Sequence, residues 1–236
     1  MHQNINRIEG IRVGQEKTFE QSVASWIDLL AILFFLSLIF SFWASINQNY
    51  SFVTNTFFQS MVLVSLVITF LKIRGGNWQH LGLRKIPTWR GVALAIVAGL
   101  GIAFLMTGIS WLIQLLPWPV SQQAAYEAIN RVSSWQEFLP LWFAVGFLAP
   151  LSEEVFFRGY TLPLFRNYLG QQNGAILAAL FFGALHFDAW RMLPLAVAGW
   201  ILNQLYTRTG SLWTTIIAHG VWNATLALQL SWGRLY

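Results

Sequence analysis

The chain has 236 residues, of which 56% are hydrophobic, 16% aromatic and only 10% charged, and its mean hydropathy is +0.54. A soluble domain carries about 25% charged residues, so this composition excludes a disordered chain, a coiled coil and an ordinary soluble domain. The formal net charge of +5 comes without a basic stripe interleaved with aromatic residues, which argues against a nucleic-acid partner. Cysteine is absent, which excludes disulfides and thiolate chemistry. The composition is typical of a polytopic membrane protein.

Seven apolar segments follow one another, and they predict an all-α bundle of about seven transmembrane helices, two of them short. The segments cover residues 23–46, 52–71, 91–116, 138–157, 174–187, 192–206 and 212–230. The fifth and sixth fall below the about 20 residues that a helix needs to cross a bilayer. We expect these two to form a hairpin that does not cross fully, with Asp188 and Arg191 at its tip and a fifth helix that begins near Gln171.

The charge pattern predicts the organisation of the chain and its orientation. Eleven of the fourteen basic residues fall on the side of the N-terminus, which predicts a cytosolic N-terminus by the positive-inside rule. The expected parts are a cytosolic tail, a structural three-helix region, an external loop, a chemically active bundle and a short C-terminal tail (1–22, 23–116, 117–137, 138–230 and 231–236). The inner basic residues are Arg7, Arg12, Lys17, Lys72, Arg74, Arg84, Lys85, Arg90, Arg158, Arg166 and Arg208, and the outer ones are Arg131, Arg191 and Arg234. The compact length favours a multi-pass protein of a prokaryotic inner membrane, with lipid as a partner.

Ionisable residues inside membrane segments are costly and indicate a functional site. Here most of them lie after residue 150. Glu153 and Glu154 point about 100° apart on a helix, and Arg158 follows Glu154 by four residues, the spacing of a favourable ion pair. Glu153 is then left on another face and is suited to acid–base work. The alternative is that all three form a solvated or paired helix end at the cytosolic surface.

Two histidines complete the candidate set. His186 shares a helix face with Phe182, and His219 shares one with Asn223. A single histidine in an apolar helix is more often a structural hydrogen-bonding group. Two of them together with Glu153 can do chemistry, because the glutamate and one histidine can polarise a water while the other histidine and Asn223 donate to an oxyanion. No G-x-S-x-G sequence surrounds a serine, so attack by water fits better than a covalent mechanism.

Three ordered motifs resemble a known family. Residues 153–158 read E-E-x-x-x-R, residues 182–186 read F-x-x-x-H and residues 219–223 read H-x-x-x-N. This trio resembles the CPBP family of type II CAAX prenyl endopeptidases and bacteriocin-processing proteins, also called the abortive-infection family, over about residues 138–230. The stretch 81–84 resembles a further short segment common in that family. The resemblance implies an intramembrane endopeptidase.

The same resemblance implies roles for the residues and a class of substrate. Glu153 and His186 would activate the attacking water, His219 and Asn223 would stabilise the oxyanion, and Glu154 with Arg158 would support the site as a pair. The substrate would be a membrane-associated peptide or protein, prenylated or of leader type. The family is often labelled metalloprotease, but the chain has no H-E-x-x-H sequence. We therefore favour a site without a metal or other cofactor, the alternative being zinc held by Glu153, His186 and His219.

Two other functions remain open at this stage. A non-catalytic immunity or scaffold protein could keep the fold and bind a peptide or protein partner. A small transporter could use Glu153 and the histidines as a proton relay, although such proteins usually show internal repeats and this sequence has none. The complete set of six candidate residues favours catalysis, and the sequence assigns no oligomeric state.

Overall fold

The computed structural model describes residues 25–46, 51–115, 117, 123–232 and 235, and these residues are helical without any strand. The predicted tail 1–22 and Arg234 lie outside the described residues. The all-α prediction is confirmed. The eight helices are α1 (Trp26–Ile46), α2 (Phe52–Ile73), α3 (Trp89–Gln114), α4 (Ala124–Asn130), α5 (Trp135–Leu169), α6 (Gln171–Ala184), α7 (Met192–Thr209) and α8 (Leu212–Ser231), and a 3-10 turn covers Trp78–Leu81.

Four of these helices, α1, α2, α3 and α5, are long and apolar enough to span a membrane. Among the described residues, each of the seven predicted segments contains a helix. Helix α6 begins at Gln171 as expected, and α6 and α7 pack together as the predicted hairpin. Asp188 and Arg191 form an ion pair in the turn between them. We conclude that the chain is a polytopic helical membrane protein.

Helix α5 is much longer than the predicted segment 138–157, since it runs from Trp135 to Leu169. The two arginines that follow the predicted segment, Arg158 and Arg166, both have side-chain partners on α7. Arg158 is fully buried, and Arg166 donates to the hydroxyl of Thr207 on α7. Arg158 is therefore a charge of the bundle interior, and its assignment to the inner polar segments was wrong.

Helix α5 contains two π-helical segments, Ala144–Leu148 and Val155–Thr161. Each is followed within two residues by a proline, Pro150 or Pro163. A proline cannot donate to the carbonyl four residues earlier and its ring collides with that carbonyl in a regular helix. A wider turn relieves the collision, and such π segments are frequent at functional sites. The second one starts directly after Glu154.

Helix α8 is the centre of the bundle and packs against α3, α5 and α7. Its start is held by the segment after the 3-10 turn. The carbonyl of Gly82 accepts from the backbone N–H of Leu212 at 3.1 Å, and the carbonyl of Leu83 accepts from Trp213 Nε1 at 2.9 Å. Gly82 adopts φ +80°, a conformation that favours glycine. The stretch 81–84 therefore fixes the position of α8.

The same end of the bundle carries an ion pair between α1 and the residue after α2. Arg74 Nε lies 2.8 Å from Asp28 Oδ2, and Arg74 Nη2 lies 2.9 Å from Asp28 Oδ1. These hydrogen bonds and the charge of Asp28 raise the pKa of Arg74 above its ordinary value. The charge of Arg74 is thereby neutralised.

Candidate active site

The first element of the site is a buried ion pair within α5. Arg158 Nη1 donates to Glu154 Oε1 at 2.7 Å, and both side chains are 0% exposed. Two charges are tolerated in such an interior only when they are paired and hydrogen-bonded. The predicted pairing is confirmed. For Glu154 and Arg158 the solvated form of the alternative is wrong, because neither side chain reaches solvent.

The remaining donors of Arg158 bind α7. Its Nε donates to Asn203 Oδ1 and its Nη2 to the carbonyl of Gly199, each at 3.1 Å. The guanidinium lies over the ring of Phe182 on α6, 4.7 Å from the centroid. Asn203 in turn donates to the carbonyl of Ala175 at 2.9 Å. Arg158 thus joins α5, α6 and α7 at one point.

Asn203 is the residue that the candidate set lacked. It is 1% exposed, and its position inside an apolar segment was the only sequence signal that it has a structural task. No motif joins it to Arg158, which lies 45 residues earlier in the chain. Its role follows from the packing of α7 against α5 and α6.

Glu154 also holds the histidine of α8. His219 Nδ1 lies 2.8 Å from Glu154 Oε1, and His219 is 2% exposed. Since an ionised carboxylate can only accept, the proton belongs on Nδ1. The other ring nitrogen, Nε2, then faces Glu153, whose Oε2 lies 3.8 Å away. The same carboxylate therefore neutralises Arg158 and orients His219.

Glu153 has a different environment from its neighbour. Its side chain is 26% exposed, whereas that of Glu154 is 0% exposed. Within the described chain, Glu153 Oε2 has no hydrogen-bond donor. The separation of 3.8 Å from His219 Nε2 is too long for a direct hydrogen bond, so both atoms can face a common third group. The prediction that Glu153 lies on a separate face from the ion pair is confirmed.

His186 lies just beyond the end of α6 and at the edge of this cluster. Its Nδ1 donates to the carbonyl of Phe182 at 2.7 Å, which leaves Nε2 as the acceptor of the neutral ring. The Phe182 ring contacts both imidazoles, with centroids 4.8 Å from His186 and 5.9 Å from His219. The predicted common face of Phe182 and His186 is confirmed.

Asn223 lies one turn after His219 on α8. Its Nδ2 donates to the carbonyl of Val145, in the first π segment of α5, at 3.1 Å. One hydrogen of the amide therefore connects α8 to α5, and the second remains available to another acceptor.

The position of His219 is fixed by a close backbone approach at the next residue. A Cβ atom on Gly220 would lie 2.4 Å from the carbonyl oxygen of Gly146 on α5, so only glycine fits there. On the same helix the Trp222 ring stacks on the His219 imidazole at 5.0 Å and 20°. The imidazole is therefore held by Glu154, by Trp222 and by the contact of two helix backbones.

The residues considered for zinc do not converge on one point. In the described part of the chain, no three His, Asp or Glu side chains form a group that could hold a metal ion. The described side chains therefore supply no three-ligand set for zinc, and we derive no chemical step through a metal.

Comparison with known families agrees with the motifs. Residues 135–225 match the family model described as "Type II CAAX prenyl endopeptidase Rce1-like". Residues 135–225 are therefore similar to this family, and we call them the Rce1-like segment. It contains all six candidate residues and the whole of the contact network around Arg158, and the resemblance inferred from the motifs is confirmed for it.

A curated protein is similar over a longer stretch than the Rce1-like segment. It is the Bacillus subtilis (strain 168) protein named "Putative membrane peptidase YdiL", 23% identical over 178 residues, which cover 74% of this chain and 69% of that protein. No solved structure matches the chain. The similarity supports a membrane protease. Because the identity is only 23%, substrate and mechanism are argued from the geometry of the site.

Proposed function

We propose that the protein is an intramembrane endopeptidase that hydrolyses a peptide bond of a membrane-associated substrate, prenylated or of leader type, with an activated water. One observation carries this proposal. Glu153 Oε2 and His219 Nε2 face each other at 3.8 Å without a direct hydrogen bond, and the buried Glu154 holds the other nitrogen of His219. Hydrolysis needs a general base and a histidine held in position by a hydrogen bond, both directed at the site where the water binds.

Charge balance suggests how the two groups share a proton. Glu154 and Arg158 are fully buried and neutralise each other. In a low-dielectric interior these four side chains carry no net charge if Glu153 and His219 together hold one proton besides the one on His219 Nδ1. With that proton on His219, Glu153 is a carboxylate that can accept from water, and His219 Nε2–H is a donor stabilised through Glu154.

The reaction then follows in two proton transfers. Glu153 takes a proton from the water while the water oxygen bonds to the substrate carbonyl carbon. The resulting oxyanion accepts hydrogen bonds from His219 Nε2–H and from the second amide hydrogen of Asn223. The unprotonated Nε2 of His186 accepts a hydrogen bond from the same water. Collapse of the oxyanion breaks the C–N bond, and Glu153 returns its proton to the leaving amine.

A cleavage assay with the purified protein tests this proposal. Glu153→Gln keeps the size of the side chain but removes the base, and we expect it to lower the rate of cleavage of a fluorogenic peptide at least about a hundredfold. The control is Glu127→Gln on α4, whose carboxylate is 55% exposed and far from the site in the chain. Peptides with and without a farnesylated C-terminus identify the substrate type.

Two results would count against the proposal. Equal cleavage by Glu153→Gln and the unchanged protein would refute Glu153 as the base. Tight binding of a peptide without cleavage would favour the non-catalytic immunity or scaffold function instead.

We further propose that the N-terminus is cytosolic in a prokaryotic inner membrane. The basic residues between α2 and α3 support this orientation by the positive-inside rule. The sequence has no cysteine, so single cysteines can be introduced at Lys85 and at Arg131. In intact cells an impermeant maleimide is expected to label Arg131→Cys, and to label Lys85→Cys only after the membrane is opened. The reverse pattern would invert the topology.

A further inference from the structure

A groove of about 640 Å³ lies at the end of the bundle where the segment between α2 and α3 meets the first turns of α3 and α8. None of the six candidate residues lines it. Its lining consists of apolar side chains and one arginine, namely Trp78, Leu83, Arg84, Ile86, Pro87, Val92, Trp213 and Ile217. This groove is therefore separate from the candidate active site and has a different chemistry.

The charges around the groove favour an anion. Between Asp28 and Glu127 the sequence contains no acidic residue. Arg84 lines the groove, and the exposed Lys85 and Arg90 are sequence neighbours of its lining residues. Arg74 is already paired with Asp28. A ligand with one negative group and an apolar body would complement this lining.

The location of the groove indicates where such a ligand comes from. Val92 belongs to the first turn of α3, one of the four candidate membrane spans. Ile86 and Trp89, just before it, are 80% and 76% exposed, and Trp78 is 53% exposed. Exposed tryptophan and arginine at the end of a span are typical of the membrane–water interface, where basic pockets between helices bind lipid headgroups.

We propose that this groove binds one anionic phospholipid. Arg84 contacts the phosphate, and an acyl chain lies along Val92 and Ile217. The lipid would also brace α8, because Trp213 donates to the carbonyl of Leu83 across the groove and Ile217 lies two residues before His219. Binding of this lipid does not depend on the protein being a peptidase.

Native mass spectrometry of the full-length protein in detergent tests the proposal. The probes are phosphatidylglycerol and phosphatidylcholine with identical acyl chains at equal concentration. We expect the unchanged protein to bind the anionic lipid in about fivefold excess, the contribution of one surface arginine. Arg84→Gln should remove this preference, whereas Arg131→Gln, an exposed arginine at the C-terminal end of α4, should retain it.

A second variant tests the apolar part of the groove. Val92→Trp places a larger side chain in the groove, and we expect it to lower the occupancy of both lipids at least about threefold. The variant should still elute from size-exclusion chromatography as a single species. An unchanged preference in Arg84→Gln would overturn the proposal. So would full displacement of the lipid by glycerol phosphate alone, which would indicate a headgroup site, or by an apolar peptide, which would indicate a peptide groove.

Discussion

Replacing Arg158 by methionine is expected to lower the free energy of unfolding by about 3–5 kcal/mol, because it leaves the Glu154 carboxylate buried without its cation. Arg158 is 0% exposed and donates to Glu154, Asn203 and the carbonyl of Gly199. Its loss therefore breaks the contacts that join α5, α6 and α7. The measurement is the unfolding transition of the purified protein in detergent, with Arg208→Met as the control, since Arg208 is exposed on α7.

A double variant separates stability from chemistry. Replacing both partners by apolar residues, as in Glu154→Leu with Arg158→Met, removes the uncompensated charge, and we expect it to recover most of the lost stability. The same protein should remain inactive because His219 loses the acceptor of its Nδ1 proton. A double variant as unstable as Arg158→Met would show that the arginine stabilises the fold through α7 rather than through Glu154.

The second large effect concerns the pair Glu153 and His219. We expect His219→Gln to lower kcat by about 10²–10⁴-fold, the range of a lost general acid–base or oxyanion group. If the two groups share one proton, they act as a unit, and effects of such groups are far from additive. The combination of Glu153→Gln and His219→Gln should then lie within about tenfold of the worse single variant.

The control for this double-mutant cycle is Asn223, which does not take part in the shared proton. Asn223→Ala removes the proposed donor to the oxyanion and the contact with Val145, and its effect should multiply with that of Glu153→Gln. Multiplicative effects for Glu153 and His219 as well would contradict the shared proton. Thermal unfolding of each variant distinguishes a loss of chemistry from a loss of fold.

Local features of the site could be predicted from spacing. Glu154 and Arg158 lie four residues apart on one helix, and that geometry alone brings their charged groups together. Their neighbour Glu153 points about 100° away, so its separation from the ion pair also followed. The face shared by Phe182 and His186 is a third example, since a four-residue spacing needs no knowledge of the other helices.

Contacts between distant segments could not be predicted in the same way. His219 lies 65 residues after Glu154, and Asn203 lies 45 after Arg158. Both hydrogen bonds depend on how α7 and α8 pack against α5. That packing depends in turn on glycines at which two backbones touch, such as Gly220 against Gly146. A motif names the residues but not the distance between them.

The length of α5 also could not be predicted from the hydropathy pattern. Charged residues normally end an apolar segment, and here Arg158 lies in the interior because Glu154, Asn203 and a backbone carbonyl satisfy its donors. The two π segments depend on prolines, whose effect on helix geometry a hydropathy pattern does not show. Both features place the catalytic candidates deep in a helix that continues past them.

The sequence by itself indicated a helical membrane protein. Its 10% charged residues are too few to solvate a globular surface, and its apolar segments have the lengths of helices. Spacing along a single helix predicted the ion pair, and the polar groups inside apolar segments predicted the six candidate residues. Only the tertiary structure decided that the Glu154 carboxylate accepts hydrogen bonds from both Arg158 and His219. It also decided that Glu153 Oε2 lies 3.8 Å from the other ring nitrogen of His219. The physical reason is that a helix fixes neighbours within about four residues, whereas a site on several helices is fixed by their packing.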